Sequence, residues 1–216
     1  MGRAAALARH LAIRAGDVER RLNRRRLLRK LPKNGACAEV GVWKGDGTTA
    51  ILHHTRPRTV YLIDPWEHQP DHGKALYGDS TDQAAMDAVH DEVLARFGAE
   101  IEEGRVKVIR SRSQAATAGF GEGDLDWAWI DGDHSYEAVK ADLDSFARIV
   151  KPDGYLAGDD YILDWWGNGV IKAIDEFVES GRGELELVGK QHFLIKLTEG
   201  PGEGGGGREA DRPATS

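Results

Sequence analysis

Hydrophobic and polar positions along the middle of the chain follow two rhythms. Short apolar runs, "CAEVG", "TVYLID", "VKVIRS", "DWAWID" and "GYLAGD", are rich in β-branched and aromatic residues, and each gives way to a turn. Most are followed by a stretch of helical spacing. Val139, Leu143, Phe146 and Val150 recur at such intervals before Lys151-Pro152-Asp153-Gly154 stops the pattern; Met86, Val89, Val93 and Phe97 mark a second helix, and Ile171, Ile174 and Phe177 a third. Strands that alternate with helices need right-handed crossovers, which predicts an α/β domain on a doubly wound, mostly parallel sheet. The rhythm changes near the end, where "LELVG" and "HFLIKL" lie too close together for a helix to intervene. They predict a terminal hairpin that adds an antiparallel strand and brings the sheet to seven.

The flanks differ from this core at residues 34–197. Residues 1–33 carry eleven Lys or Arg against Asp17 and Glu19, with Leu7, Leu11, Val18 and Leu22 at helical spacing. They read as a basic amphipathic helical extension packed on its own domain or on a second copy in a homo-oligomer, with a membrane surface or an acidic partner as the alternative. Residues 198–216 offer no apolar anchor and read as a disordered tail. No apolar run is long enough to span a bilayer and no secretory signal is visible, so a soluble, cytoplasmic protein is expected. The single cysteine, Cys37, reads as a small core residue. A net charge of −7 and a pI near 5.6 argue against nucleic acid and favour a small-molecule partner.

Ligands of doubly wound sheets bind at the carboxyl ends of the strands. The first such tip, "AEVGVWKGDGTTAIL", has Gly41, Gly45 and Gly47 in the turn before a helix starting near Thr48, and Glu39 two residues before the first glycine. This is not the G-x-G-x-x-G of a pyrophosphate cradle. A carboxylate at Glu39 would repel a pyrophosphate and attract an ammonium group. The second tip, "YLIDPW", places Asp64 at 64 − 41 = 23 residues beyond Gly41, near the distance at which an acid bonds ribose hydroxyls; its alternative is a turn cap before Pro65. Together they point to a ligand that contains a ribose.

These residues resemble the class I S-adenosylmethionine-dependent methyltransferases, whose Rossmann-like sheet also ends in an antiparallel strand. The resemblance implies that the Gly41–Gly47 turn holds the amino acid part of the cofactor, Asp64 its ribose, and residues near Arg112 and Ser113 its adenine. "IDGDHSYE" together with "GDDY" is similar to the metal-dependent O-methyltransferases of catechol and macrocin type. Asp131 ends the fourth strand and Asp159-Asp160 the fifth, which the single connecting helix makes neighbours about 4.8 Å apart. Two carboxylates at about 4 Å repel by roughly 4 kcal/mol at an effective dielectric of 20, so the three call for a hard cation such as Mg²⁺. Turn capping by Asp159 and Asp160 is the competing reading. Asp133 reads as the cap of the following helix.

By the same likeness His134, three residues after Asp131, fills the position of a catalytic base, with Asp131 as the alternative. Trp165-Trp166 could wall an acceptor pocket, residues 67–82 have the polarity of a lid, and His68 and His72 within it read as solvated. The expected activity is transfer of the S-adenosylmethionine methyl to a hydroxyl of a small molecule, a sugar or catechol-like diol chelated by Mg²⁺. A nicotinamide-dependent reductase and a noncatalytic cofactor-binding or scaffold protein are the rival readings.

Overall fold

The computed structural model describes residues 3–70, 78, 81–162 and 167–198, with side chains from Gly16 onward. The side chains of Leu7 and Leu11, all of His72, Trp165 and Trp166, and the tail after Thr198 lie outside the described residues. The elements in chain order are α1 (Arg3–Lys30), β1 (Ala36–Val40), α2 (Asp46–Thr55), β2 (Thr59–Asp64), α3 (Gln83–Arg96), α4 (Gly98–Glu102), β3 (Val106–Arg110), α5 (Ser113–Thr117), β4 (Leu125–Ile130), α6 (Tyr136–Ile149), β5 (Val150–Gly158), α7 (Gly169–Glu179), β6 (Gly183–Val188) and β7 (His192–Leu197).

One seven-stranded sheet runs in the order β3-β2-β1-β4-β5-β7-β6. The first five strands pair in parallel, and β7 lies antiparallel to both β5 and β6. This is the mostly parallel α/β sheet with an antiparallel terminal hairpin that the apolar pattern predicts. Both faces are covered, which is why its strands are apolar without alternation. Leu143, Phe146, Ile174 and Phe177 of α6 and α7 pack on one face, and Leu27, Leu28, Ile51, Val93 and Trp127 belong to the core of the other. Cys37 is fully buried there, as expected. Because β1 leads outward to β2 while β4 leads the opposite way to β5, a crevice opens between the carboxyl ends of β1 and β4.

One local expectation is corrected. Lys151-Pro152-Asp153-Gly154 ends α6, yet the segment lies inside β5 as a bulge, since Leu125 pairs with Val150 and Trp127 already with Tyr155. In α1 the described stripe residues Val18 and Leu22 are 57% and 48% exposed on this single chain, the face left for a second copy, whereas Leu27, Leu28 and Leu31 are at most 2% exposed. The inner face of this helix runs through positions 20, 24, 27, 28 and 31, and its upper part meets acids instead of apolar side chains. Among the described residues no helix is long and apolar enough to cross a membrane.

Candidate active site

The turn after β1 is shaped by the protein's own packing. Gly41 has φ +83°, and a Cβ there would stand 2.0 Å from the carbonyl oxygen of Asp131 at the tip of β4, so only glycine lets these tips approach. A Cβ on Gly47 would likewise lie 2.1 Å from Oε1 of Glu39. Glu39 ends 2% exposed beneath α2, with the Thr48 hydroxyl donating to its Oε2 at 2.5 Å. Burial pushes its pKa up to about 8, against the opposing effect of Thr48 and Arg24. The carboxyl therefore keeps its proton at neutral pH until a cation arrives.

Asp64, at the tip of β2, accepts the N–H groups of Val42 (2.9 Å) and Trp43 (3.0 Å) on Oδ2 and that of Trp66 (2.8 Å) on Oδ1. Burial raises its pKa despite these bonds. It thus fastens the glycine turn to the second tip while still facing the crevice. Beyond β3, Arg112 pairs with Glu67 at 2.7 Å, and Ser113 and the adjacent Gln114 both donate to Asp142 of α6. Neither Gln114 nor Asp142 was singled out from the sequence, because an acid in the middle of an amphipathic helix reads as surface.

At the fourth and fifth tips the register Ile130↔Gly158 sets Asp131 beside Asp159, the convergence expected of neighbouring strands. Asp160 follows with φ +67°, a left-handed conformation that aspartate tolerates, and its carboxylate lies 3.3 Å from Nε2 of His134. The counter-ions come from α1. Arg20 Nε donates to Asp159 Oδ2 at 2.7 Å, and Nη2 of Arg24 bridges Asp159 Oδ2 (3.1 Å) and Asp131 Oδ2 (3.2 Å). Gln191 and the N–H of Asp160 hold Asp159 Oδ1. Burial pushes the Asp159 carboxyl up, but His192, Arg20 and Gln191 outweigh it and hold the pKa below the usual range. Asp131 shifts the other way, raised by burial and by the other two aspartates against Arg24. Helical spacing of Arg20 and Arg24 with Leu27, Leu28 and Leu31 was the signal that could have found these arginines.

Donors for a divalent cation are present, and two of the three expected aspartates are among them. Asp131, His134 and Asp160 each offer a ligand atom, all within 4.8 Å of one another. Asp159 is taken up by Arg20, Arg24 and Gln191. The carboxylates of Asp131 and Asp160 suit a hard divalent ion and the imidazole a softer one, so the residues fit a divalent cation. Asp133 is not the helix cap: Ser135 caps α6, and Asp133 accepts the Ser135 N–H at 2.7 Å. His68 is half-buried instead of solvated, with its N–H donated to Gln83.

A cavity of about 760 Å³ joins these tips. Glu39, Gly41, Gly47, Asp64, Arg112, Ser113, Asp131, His134 and Asp160 line it, as do Arg20, Arg24, Gln114 and Asp142, whereas Gly45, Thr48 and Asp159 stand behind its wall. A doubly wound sheet with a cavity across its switch point, acids at four strand tips and a glycine turn is the arrangement in which such sheets bind their ligands. The family model for methyltransferase domains matches residues 38–161, more than half of the chain, and the chain belongs to that family. No curated protein matches the sequence.

Among solved structures, a protein from Corynebacterium glutamicum superposes with a TM-score of 0.57 at 16% identity, over 92% of this chain and 91% of that one. The O-methyltransferase NovP gives 0.54 at 20% identity over 84% and 80%, and an rRNA methylase from Streptococcus thermophilus gives 0.53 at 11% over 81% and 94%. At these identities the likeness carries the fold.

Proposed function

We propose that this methyltransferase moves the methyl group of S-adenosylmethionine to a hydroxyl of a small molecule, a sugar or a catechol-like diol. The observation that carries the reading is the continuous cavity that runs from the Glu39 turn past Asp64 to Ser113 and opens beside Asp131, His134 and Asp160. The amino acid end of the cofactor lies against Gly41 and Gly47, where its ammonium meets Glu39; the ribose lies by Asp64 and the purine by Ser113. This order leaves the methyl group facing the tips of β4 and β5. An acid-lined cavity and an overall charge of −7 disfavour a polyanionic acceptor such as RNA.

The residues next to the transferred methyl have to orient the hydroxyl in line and remove its proton. Asp131, His134 and Asp160 would hold Mg²⁺ or a similar ion, which when bound polarises the acceptor oxygen as a Lewis acid. His134, with Nε2 3.3 Å from the Asp160 carboxylate, is the base that takes the hydroxyl proton. Where the imidazole serves instead as a metal donor, Asp131 is the alternative base. Arg20 and Arg24 keep the remaining charge of the cluster balanced.

Calorimetric titration with S-adenosylmethionine and, separately, with a reduced nicotinamide cofactor, each with and without Mg²⁺, tests the reading. Saturable heat is expected with S-adenosylmethionine alone and none with the nicotinamide. The reverse pattern overturns it.

A further inference from the structure

One side of the cavity is walled by cations that belong to the chain itself, Arg20 and Arg24 of α1. The part of this helix after Asn23 is fixed by apolar packing, since Leu27 and Leu28 are fully buried and Leu31 follows just beyond the helix end. The part before it has no such anchor, for Asp17 to Leu22 are all exposed. Among these residues Arg20 alone reaches the body through a hydrogen bond or ion pair, with Nε 2.7 Å from Asp159 Oδ2 and Nη2 3.6 Å from Asp160 Oδ2. Arg24, one turn on, sets Nη2 3.2 Å from Asp131 Oδ2 and holds its guanidinium 5.3 Å from the centre of the Trp129 ring. Both carboxylates that fit a divalent cation therefore already face a guanidinium.

We propose that α1 is a strap that competes with the divalent ion for Asp131 and Asp160, so that the ion, on binding, displaces Arg20 and frees the exposed part of the helix from the cavity. The inference rests on the divalent-cation reading above. Like charges a few ångströms apart repel strongly where water is partly excluded, so the two carboxylates cannot serve the ion and both guanidiniums at once without loss to one of them. Of the two arginines, Arg20 is the one that can yield. Its side chain is 43% exposed against 21% for Arg24, and no buried residue precedes it on the described part of the helix. Asp159 cannot leave with it, because Gln191 and the N–H of Asp160 hold its other oxygen. The coupling is reciprocal: the strap weakens the ion's hold by the same factor as the ion weakens the strap's. The ion-free enzyme is thus narrowed beside Asp160, and loading the ion opens that side of the cavity.

Two measurements on the full chain test the proposal, and neither is methyl transfer. Mn²⁺ affinity is read from the spin resonance of the free ion for the parent, Arg20→Gln and Arg20→Lys, and amide hydrogen exchange of the parent is followed with and without saturating Mn²⁺. Arg20→Gln is expected to bind Mn²⁺ about 10- to 100-fold more tightly than the parent, and Arg20→Lys, which keeps the charge, within about 3-fold of it. In the parent, Mn²⁺ should speed exchange from Asp17 to Arg24 while Leu27 to Leu31 stay protected, a pattern that general loosening would not give. Unchanged or weaker binding in Arg20→Gln, equal tightening in both variants, or exchange in α1 that the ion leaves alone or slows overturns the strap and leaves the cation site standing. Absence of Mn²⁺ binding in both the parent and Arg20→Gln overturns the cation reading itself. Should Arg20→Gln fail to fold, exchange in the parent decides.

Discussion

Glu39→Gln separates what the buried acid does for the fold from what it does for the ligand. Glu39 is 2% exposed, and burial raises its pKa from 4.5 to about 8, so between those values the folded protein holds a proton that the unfolded chain has released. A folded-state pKa raised in this way gives stability that is complete below pH 4.5 and is lost as the pH climbs toward 8. Each pH unit inside the window removes about 1.4 kcal/mol, so three units, from 4.5 to 7.5, remove about 4 kcal/mol. Glutamine has the same shape, can still accept from Thr48 and carries no charge. The variant should match the parent near pH 4.5 and exceed it by up to about 4 kcal/mol at pH 7.5, or about 8 to 16 °C in melting temperature for a chain of this size. Urea unfolding of both proteins from pH 4.5 to 8.5 measures this directly. Parallel stability curves would refute the argument, because they would mean that Glu39 is ionised in the folded state. Ligand binding should move in the opposite direction: an ammonium group draws the proton off Glu39, so S-adenosylhomocysteine affinity should rise with pH up to about 8 in the parent. In the variant it should be lower by roughly 10- to 100-fold and flat with pH.

Gly41→Ala should destabilise the fold itself by about 3 kcal/mol or more, since the new Cβ meets the Asp131 carbonyl and φ is +83°; an unchanged urea midpoint would contradict the close approach of β1 and β4. Arg24→Met keeps the stem of the side chain but leaves Asp131 and Asp159 without their bridge, at an expected cost of about 2 to 4 kcal/mol at pH 7. Because Asp159 has a depressed pKa, that cost should be present above pH 3.8 and fade as the pH falls through its lower folded value, so equal melting temperatures at pH 7 would sink the proposed role of α1. His134→Ala should lower methyl transfer by about 10² to 10⁴ with S-adenosylhomocysteine affinity intact, and EDTA should also abolish turnover without weakening that affinity. Parental turnover in the variant would remove the imidazole from the chemistry, and full turnover in EDTA would do the same for the metal.

The strands, the terminal hairpin and the acids at the tips were legible because each follows from a short-range rule. A strand buried on both faces is a continuous apolar run, and an acid immediately after such a run must lie at the carboxyl edge. Asp131 and Asp159 could be paired from sequence because one helix joins their strands and parallel register does the rest. The partners of those acids follow no such rule: Arg20 and Arg24 lie 139 and 107 residues away from the carboxylates they reach. Amphipathic reading made the same omission on α1 and α6, two of the helices that border the cavity. It took Val18 and Leu22 as the packing face of α1, toward its own domain or a second copy, and gave Asp142 of α6 no place in the site, because it assumes that a packing face meets hydrocarbon.

Where the inward face meets the carboxyl edge of a sheet, the assumption inverts, and the residues that pack inward are those that complete a charge or a hydrogen bond. Three carboxylates at adjacent tips should therefore prompt a search for a basic helix whose arginines share a face with leucines. Leu27, Leu28 and Leu31, on the same face as Arg20 and Arg24, are that signal. The glycines carry a related lesson. Gly41 and Gly47 were read as making room for a ligand, and the bodies that need the room are the Asp131 carbonyl and the Glu39 carboxyl. The glycine turn is thus built from the same contacts that bring the acid cluster and the buried glutamate together, so a substitution there tests the fold before it tests binding.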